Sequence, residues 1–158
     1  MANNIEVKKA GDDILVTIGG VVDEHCDWPQ LRGPTAEHLR IDLENIKSVN
    51  SLGFRAWRDW IYDLKAKKGI HLDKCATVFI RQLNMLAGLV PSRVTIESFF
   101  VPFACDACNH EDKVLFVRDK DFGDSITPKE GSVPCPKCGA IMAMDAVPDI
   151  YFRFLKPS

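Results

Sequence analysis

The sequence predicts an α/β fold in which a mixed sheet carries helices on one face, followed by a smaller module built on four cysteines. Three observations lead there. Apolar and polar residues alternate at Ile5 and Val7, at Ile14, Val16 and Ile18, and through Leu39-Arg40-Ile41-Asp42-Leu43, the period-two signature of half-buried strands. Phe54, Trp57, Ile61 and Leu64 recur at spacings of three and four without an intervening Gly or Pro, which marks an amphipathic helix. Finally, Cys105-x-x-Cys108 and Cys135-x-x-Cys138 lie together in the last third of the chain.

Taken in order, the first two strands flank Gly11-Asp12-Asp13, so a β-hairpin opens the fold. Asp23 to His38 holds Trp28-Pro29 and Gly33-Pro34, which interrupt any helix longer than two turns, and it reads as a loop with room for one short helix. The strand at Leu39–Leu43 leads to Asn50-Ser51, residue types that cap the helix carrying Phe54 to Leu64. Gly69 ends that helix, Ile70 to Cys75 forms a strand, and Val78, Leu83 and Leu86 place a second helix from Thr77 to near Gly88. Val94, Ile96 and Ser98 onward read as one more strand. Strands alternating with helices imply crossover connections and hence neighbours in one sheet.

The chain has 158 residues, of which 46% are hydrophobic and 27% charged, enough apolar material for a packed core. Its net charge of −2 supplies no cationic field for nucleic acid or an anionic membrane. No run of 18 apolar residues occurs, and the amino terminus lacks the basic start and apolar stretch of an export signal. The expectation is therefore a cytoplasmic protein without a membrane partner. Acidic and basic residues balance at 13 each over 1–103, but 8 acidic face 5 basic residues over 104–145. That shift divides the chain into a first domain (1–103), a cysteine module (104–146) and an aromatic closing segment (147–158).

Two residues between thiolates let a tight turn aim both sulfurs at one ion, and 26 residues separate the two pairs. Two such turns complete a tetrahedral four-cysteine site, for which zinc is the expected ion, one per chain and structural, since four thiolates leave no open position. Gly139 lets the backbone curl around the second pair. Lys113–Val117 and Ile141–Met144 read as strands, giving a zinc ribbon, with Asp119 to Ser132 as an exposed loop. Acidic side chains and four thiolates would repel a phosphate backbone, which disfavours nucleic acid as partner. His110 is not needed as a ligand, and Cys26 and Cys75 have no partner at ligand spacing. His25-Cys26-Asp27 is too local for a catalytic triad, so no enzyme is expected.

Asn50-Ser51-Leu52-Gly53 stands where a strand ends and the longest helix begins. Backbone amides and the helix dipole there favour an anion, such as a phosphoryl group on Ser51, while capping alone also accounts for Asn50 or Ser51. Residues 4 to 98 resemble the STAS domain of anti-sigma factor antagonists and of sulphate-transporter tails. The likeness rests on Ile41 through Phe54, similar to that family's strand, turn and "D-S-S-G-L" helix start, and on Ala76 to Leu89. Asn50 stands where the family usually has Asp, and Leu52 replaces a serine. The resemblance implies a STAS-like mixed sheet with helices on one face. It also implies a phosphorylatable Ser51 and a protein partner, an anti-sigma factor-like kinase, bound around Asn50, Ser51 and Leu52. Trp57 and Trp60 cannot both point inward, since three residues turn a helix by about 300°; Trp57 reads as core and Trp60 as a rim residue available to the partner.

A regulatory, partner-binding module is thus the leading functional expectation. The alternative is a constitutive scaffold in which Asn50 and Ser51 only cap a helix while the ribbon and the aromatic tail make the contacts. Tyr151, Phe154 and Leu155 follow Pro148 at helical spacing, which suggests a closing helix that docks on the rest of the chain.

Overall fold

The computed structural model describes residues 4–29, 31, 36–128 and 133–155. Gly33-Pro34, the end of the linker at Ser132 and residues 156–158 lie outside them. β1 (Asn4–Ala10) and β2 (Asp13–Val22) pair antiparallel across a two-residue turn. Gly11 takes a φ of 64° there, a conformation open to glycine without a Cβ penalty. β3 (His38–Val49), β4 (Gly69–Asp73) and β5 (Val94–Ile96) then add in parallel, giving the order β1-β2-β3-β4-β5.

The crossovers are α1 (Ser51–Asp63) and α2 (Thr77–Met85). Trp57 of α1 meets Phe79 of α2 edge-on, with ring centroids 5.2 Å apart. Both helices therefore cover the same face, as right-handed crossovers running in one direction across a sheet require. Beneath them Val16, Ile18, Ile41, Leu43 and Leu72 are wholly buried. Their neighbours on β3 and β4 face the other way and are polar, with Arg40 paired to Asp73 at 3.2 Å. Mixed α/β architecture with a mixed sheet is what the alternation implied.

β3 is far longer than Leu39–Leu43. Register shifts in β2 on either side of Gly19-Gly20 let the two long strands stay paired as they twist. The helix expected to reach Gly88 stops at Met85, and the strand expected from Val94 onward is two strands. Glu97 breaks the run, after which β6 (Ser98–Ala104) joins a second sheet with β7 (Glu111–Val117), β8 (Val133–Pro134) and β9 (Ile141–Met144), ordered β7-β6-β9-β8 and antiparallel. Ser98 to Val101 are buried at every position, the pattern of a strand covered on both faces.

The sheets meet at Cys75, which bridges to Phe99; its N–H donates to the Ser98 carbonyl at 3.0 Å and its carbonyl accepts from Phe100 N–H at 2.9 Å. Around Phe99 an aromatic seam forms with Phe116, Phe122, Phe152 and Phe154, at centroid distances of 4.9 to 6.1 Å. The loop from Asp119, expected to be exposed, therefore plants Phe122 in the core, because an aromatic ring of that size gains more by burial than by solvation. The closing segment is a single turn, α3 (Pro148–Tyr151), and a 3-10 turn at Arg153–Leu155. The Tyr151 hydroxyl donates to the Phe100 carbonyl. Asn84 of α2 holds both turns, donating to the Tyr151 carbonyl and accepting from Phe154 N–H, each at 2.8 Å.

Candidate functional site

Two hairpins, β6–β7 and β8–β9, each end in a C-x-x-C turn, and the pairing of β6 with β9 brings the turns together. The turns repeat one backbone design. In the first, Cys105 N–H donates to the His110 carbonyl and Asn109 N–H to the Cys105 carbonyl, both at 2.8 Å; in the second, Cys135 N–H donates to Ala140 at 2.7 Å and Gly139 N–H to Cys135 at 2.9 Å. The residue after each second cysteine is left-handed, Asn109 at φ 61° and Gly139 at φ 79°. Glycine there was readable in the sequence; asparagine, which tolerates the same region, was a weaker signal.

The four sulfurs of Cys105, Cys108, Cys135 and Cys138 lie within 4.8 Å of one another and could hold a metal ion. The nearest contacts run between the turns, Cys105 to Cys138 at 3.5 Å and Cys108 to Cys135 at 3.6 Å, much longer than the roughly 2.05 Å of a disulfide. Cys105 and Cys135 are buried, Cys108 and Cys138 exposed. Burial opposes ionisation of Cys135, but N–H groups of Cys138 and Lys137 and the neighbouring thiols outweigh it and bring this thiol down to about 6. At Cys108 the His110 backbone favours the thiolate, yet burial and the three other cysteines push it up to about 12. One charge settles in the cluster easily and further ones resist, which is the state a cation relieves. His110 turns instead toward Asp112, at 3.7 Å. A four-sulfur site saturates a tetrahedral ion and leaves no position for substrate.

The helix start is built differently. Asn50, at the N-cap, accepts from Gly53 N–H at 2.7 Å and donates to Glu24 at 3.0 Å. The capping side chain is therefore Asn50, while Ser51 and Leu52 lie exposed in the first turn. Gly53 is fixed by space: a Cβ there would stand 2.1 Å from the Val22 carbonyl oxygen. Trp60, read as a rim residue open to a partner, is buried instead, donating its indole N–H to Pro29 at 2.8 Å and packing on Trp28 at 5.0 Å. The loop before β3 supplies that cover, and no periodicity in α1 could reveal it. Cys26 sits half-buried with its thiol pushed up by burial, and His25 is exposed and pairs with Glu24.

One constellation escaped the sequence reading. His38 Nδ1 lies 2.9 Å from His71 Nε2, and His71 Nδ1 lies 3.0 Å from Glu97 Oε1. An ionised Glu97 only accepts, so it takes Nδ1–H of His71; the direction of the His38–His71 bond then depends on whether Nε2 of His71 also carries a proton. The chain ties β3 and β4 to the residue at which β5 gives way to β6. Among the described residues, no helix is long and apolar enough to cross a membrane. No family model matches the chain, and no curated protein matches it either.

Proposed function

We propose that the chain is a non-enzymatic, cytoplasmic regulatory module that resembles the STAS domains of anti-sigma factor antagonists. On this reading it binds a protein partner through the exposed start of α1, is switched by phosphorylation of Ser51, and carries one structural zinc ion. The observation that carries this reading is the division of labour at the helix start. Asn50 performs the capping, so Ser51 stays exposed beside Leu52 with no structural duty. Phosphate there would add about −1.5 to −2 charge where backbone amides tolerate an anion, and would change the surface a partner meets.

The order of β1 to β5 with α1 and α2 on one face supports the STAS-like reading. The scaffold alternative gives the contacts to the ribbon and the aromatic tail, and the burial of Tyr151 and Phe152 withdraws those two rings from such a surface. Zinc is favoured by the donor set and the spacing: a Zn–S bond of about 2.3 Å sets sulfurs about 3.8 Å apart in a tetrahedron, near the 3.5 and 3.6 Å found across the turns. Zinc bound there would be a closed tetrathiolate whose role is to hold the two turns. Native mass spectrometry should find one zinc per chain.

The functional test is quantitative co-purification of the tagged chain beside Ser51→Ala and Ser51→Asp. A switch predicts a kinase-like or regulator partner lost only with Ser51→Asp. Identical partners for all three would reduce Ser51 to an ordinary surface residue.

A further inference from the structure

Two grooves flank the end of α2. The first, about 160 Å³, has Phe54 and Leu89 beneath and is lined by Leu86, Arg55 and Arg58. The second, about 280 Å³, runs between α2 and α3, lined by Met85, Val147, Ile150, Tyr151 and Arg81. Met85 lines one groove and Leu86, the next residue, lines the other; among the described residues Met85 is the most exposed large apolar side chain, at 75%. Val147 and Ile150, which line the second groove, are exposed as well. Exposed apolar side chains gathered beside grooves mark an interaction surface.

The charged residues that line the two grooves have one sign. Arg55, Arg58 and Arg81 line the grooves, and no acidic residue lines either. Among the described residues none of these three has a salt-bridge partner, whereas Arg40 and Arg118 are matched to Asp73 and Asp124. Unmatched guanidinium groups beside apolar pockets suit carboxylates that flank apolar anchors: the anchors supply burial, and the forked N–H donors fix orientation and register.

We infer that the two grooves flanking the end of α2 receive an acidic, amphipathic segment of a protein partner, with apolar residues in the grooves and carboxylates on Arg55, Arg58 and Arg81. The inference deepens the proposed function and rests on its premise that a partner binds the Ser51 face of α1. It also specifies the switch, because Arg55 follows Ser51 by four residues, one helical turn on. A phosphate on Ser51 would compete with the partner's carboxylates for that guanidinium and repel them.

The test uses the full chain, expressed in its source cell with p-benzoylphenylalanine in place of Leu86, of Met85 or, as a control on the edge strand, of Lys8. Cross-linked peptides are sequenced by mass spectrometry. Leu86 and Met85 should capture one common segment with acidic residues flanking apolar ones. Arg55→Glu with Arg58→Glu should lower the yield at Leu86 at least tenfold; should that pair fail to fold, Arg55→Gln with Arg58→Gln should lower it by a smaller factor. A basic or uncharged segment, or a yield indifferent to the arginines, overturns the acidic partner while leaving a partner on α1. Capture at Lys8 alone, or at none of the three positions, overturns both.

Discussion

The two sheets meet at the bridge from Cys75 to Phe99 but are closed at their far ends by different physics. The five-stranded sheet is sealed by the apolar faces of α1 and α2, so its ends are held by Leu39, Ile61 and Ile80, all buried. In the four-stranded sheet, over residues 104–113 and 133–141, the only buried side chains are Cys105 and Cys135. So small a tip offers little burial against its conformational entropy, and a cation held by the four sulfurs would supply the difference. One half of the molecule is therefore a hydrophobic fold, while the other end gathers around four cysteines that could hold a metal ion.

Removing the metal breaks this comparison most severely. Structural zinc in small sites contributes about 10–16 kcal/mol near neutral pH, so a strong chelator, or Cys105→Ser with Cys135→Ser, should erase amide protection over 104–113 and 133–141. Hydrogen exchange should find Ile14 to Leu72 still protected; uniform loss would show one cooperative unit. Acid acts in the same direction, because protons compete for the thiolates and metal affinity falls as pH falls.

Phe99→Ala strikes the junction of the two sheets. Truncating a buried phenylalanine costs about 3–5 kcal/mol, and since Phe99 bridges to Cys75 just after β4 and packs on Phe116 of β7, both halves should lose stability in denaturant titrations. A loss confined to one sheet would mean that Phe99 does not couple them. Gly53→Ala sharpens the contrast from the other side. With Val22 oxygen 2.1 Å from the new methyl, the first turn of α1 must shift, at about 1–3 kcal/mol, while metal content stays at one ion per chain.

The smallest effects separate the two cysteine turns. Gly139→Ala meets no atom within 4 Å, so its cost is purely the left-handed backbone, about 1 kcal/mol, or about fivefold in metal affinity. Asn109→Gly should change affinity less than twofold, since Asn already tolerates its φ of 61°. Competitive chelator titrations read both; equal effects would mean that the turns are not conformational equivalents.

Some of this was legible from residue order, because some interactions are encoded within a few positions. Two thiols three residues apart, Gly139 after the second pair, alternation through Ile14 to Ile18, and the cap preceding Phe54 are local statements, and each maps to a local conformation. The sequence by itself determined the mixed α/β class, the four candidate ligands and the exposed helix start beside Asn50. Only the tertiary structure decided that Trp60 lies beneath Trp28, that Phe122 enters the seam, that Glu97 turns one strand into two, and that His38, His71 and Glu97 form a chain. The contacts behind them join residues 23 to 33 positions apart in the sequence, from Phe99–Phe122 to His38–His71. They depend on strand register and on which loop covers which ring, and hydrophobic period reports how much of a side chain is buried without naming what buries it.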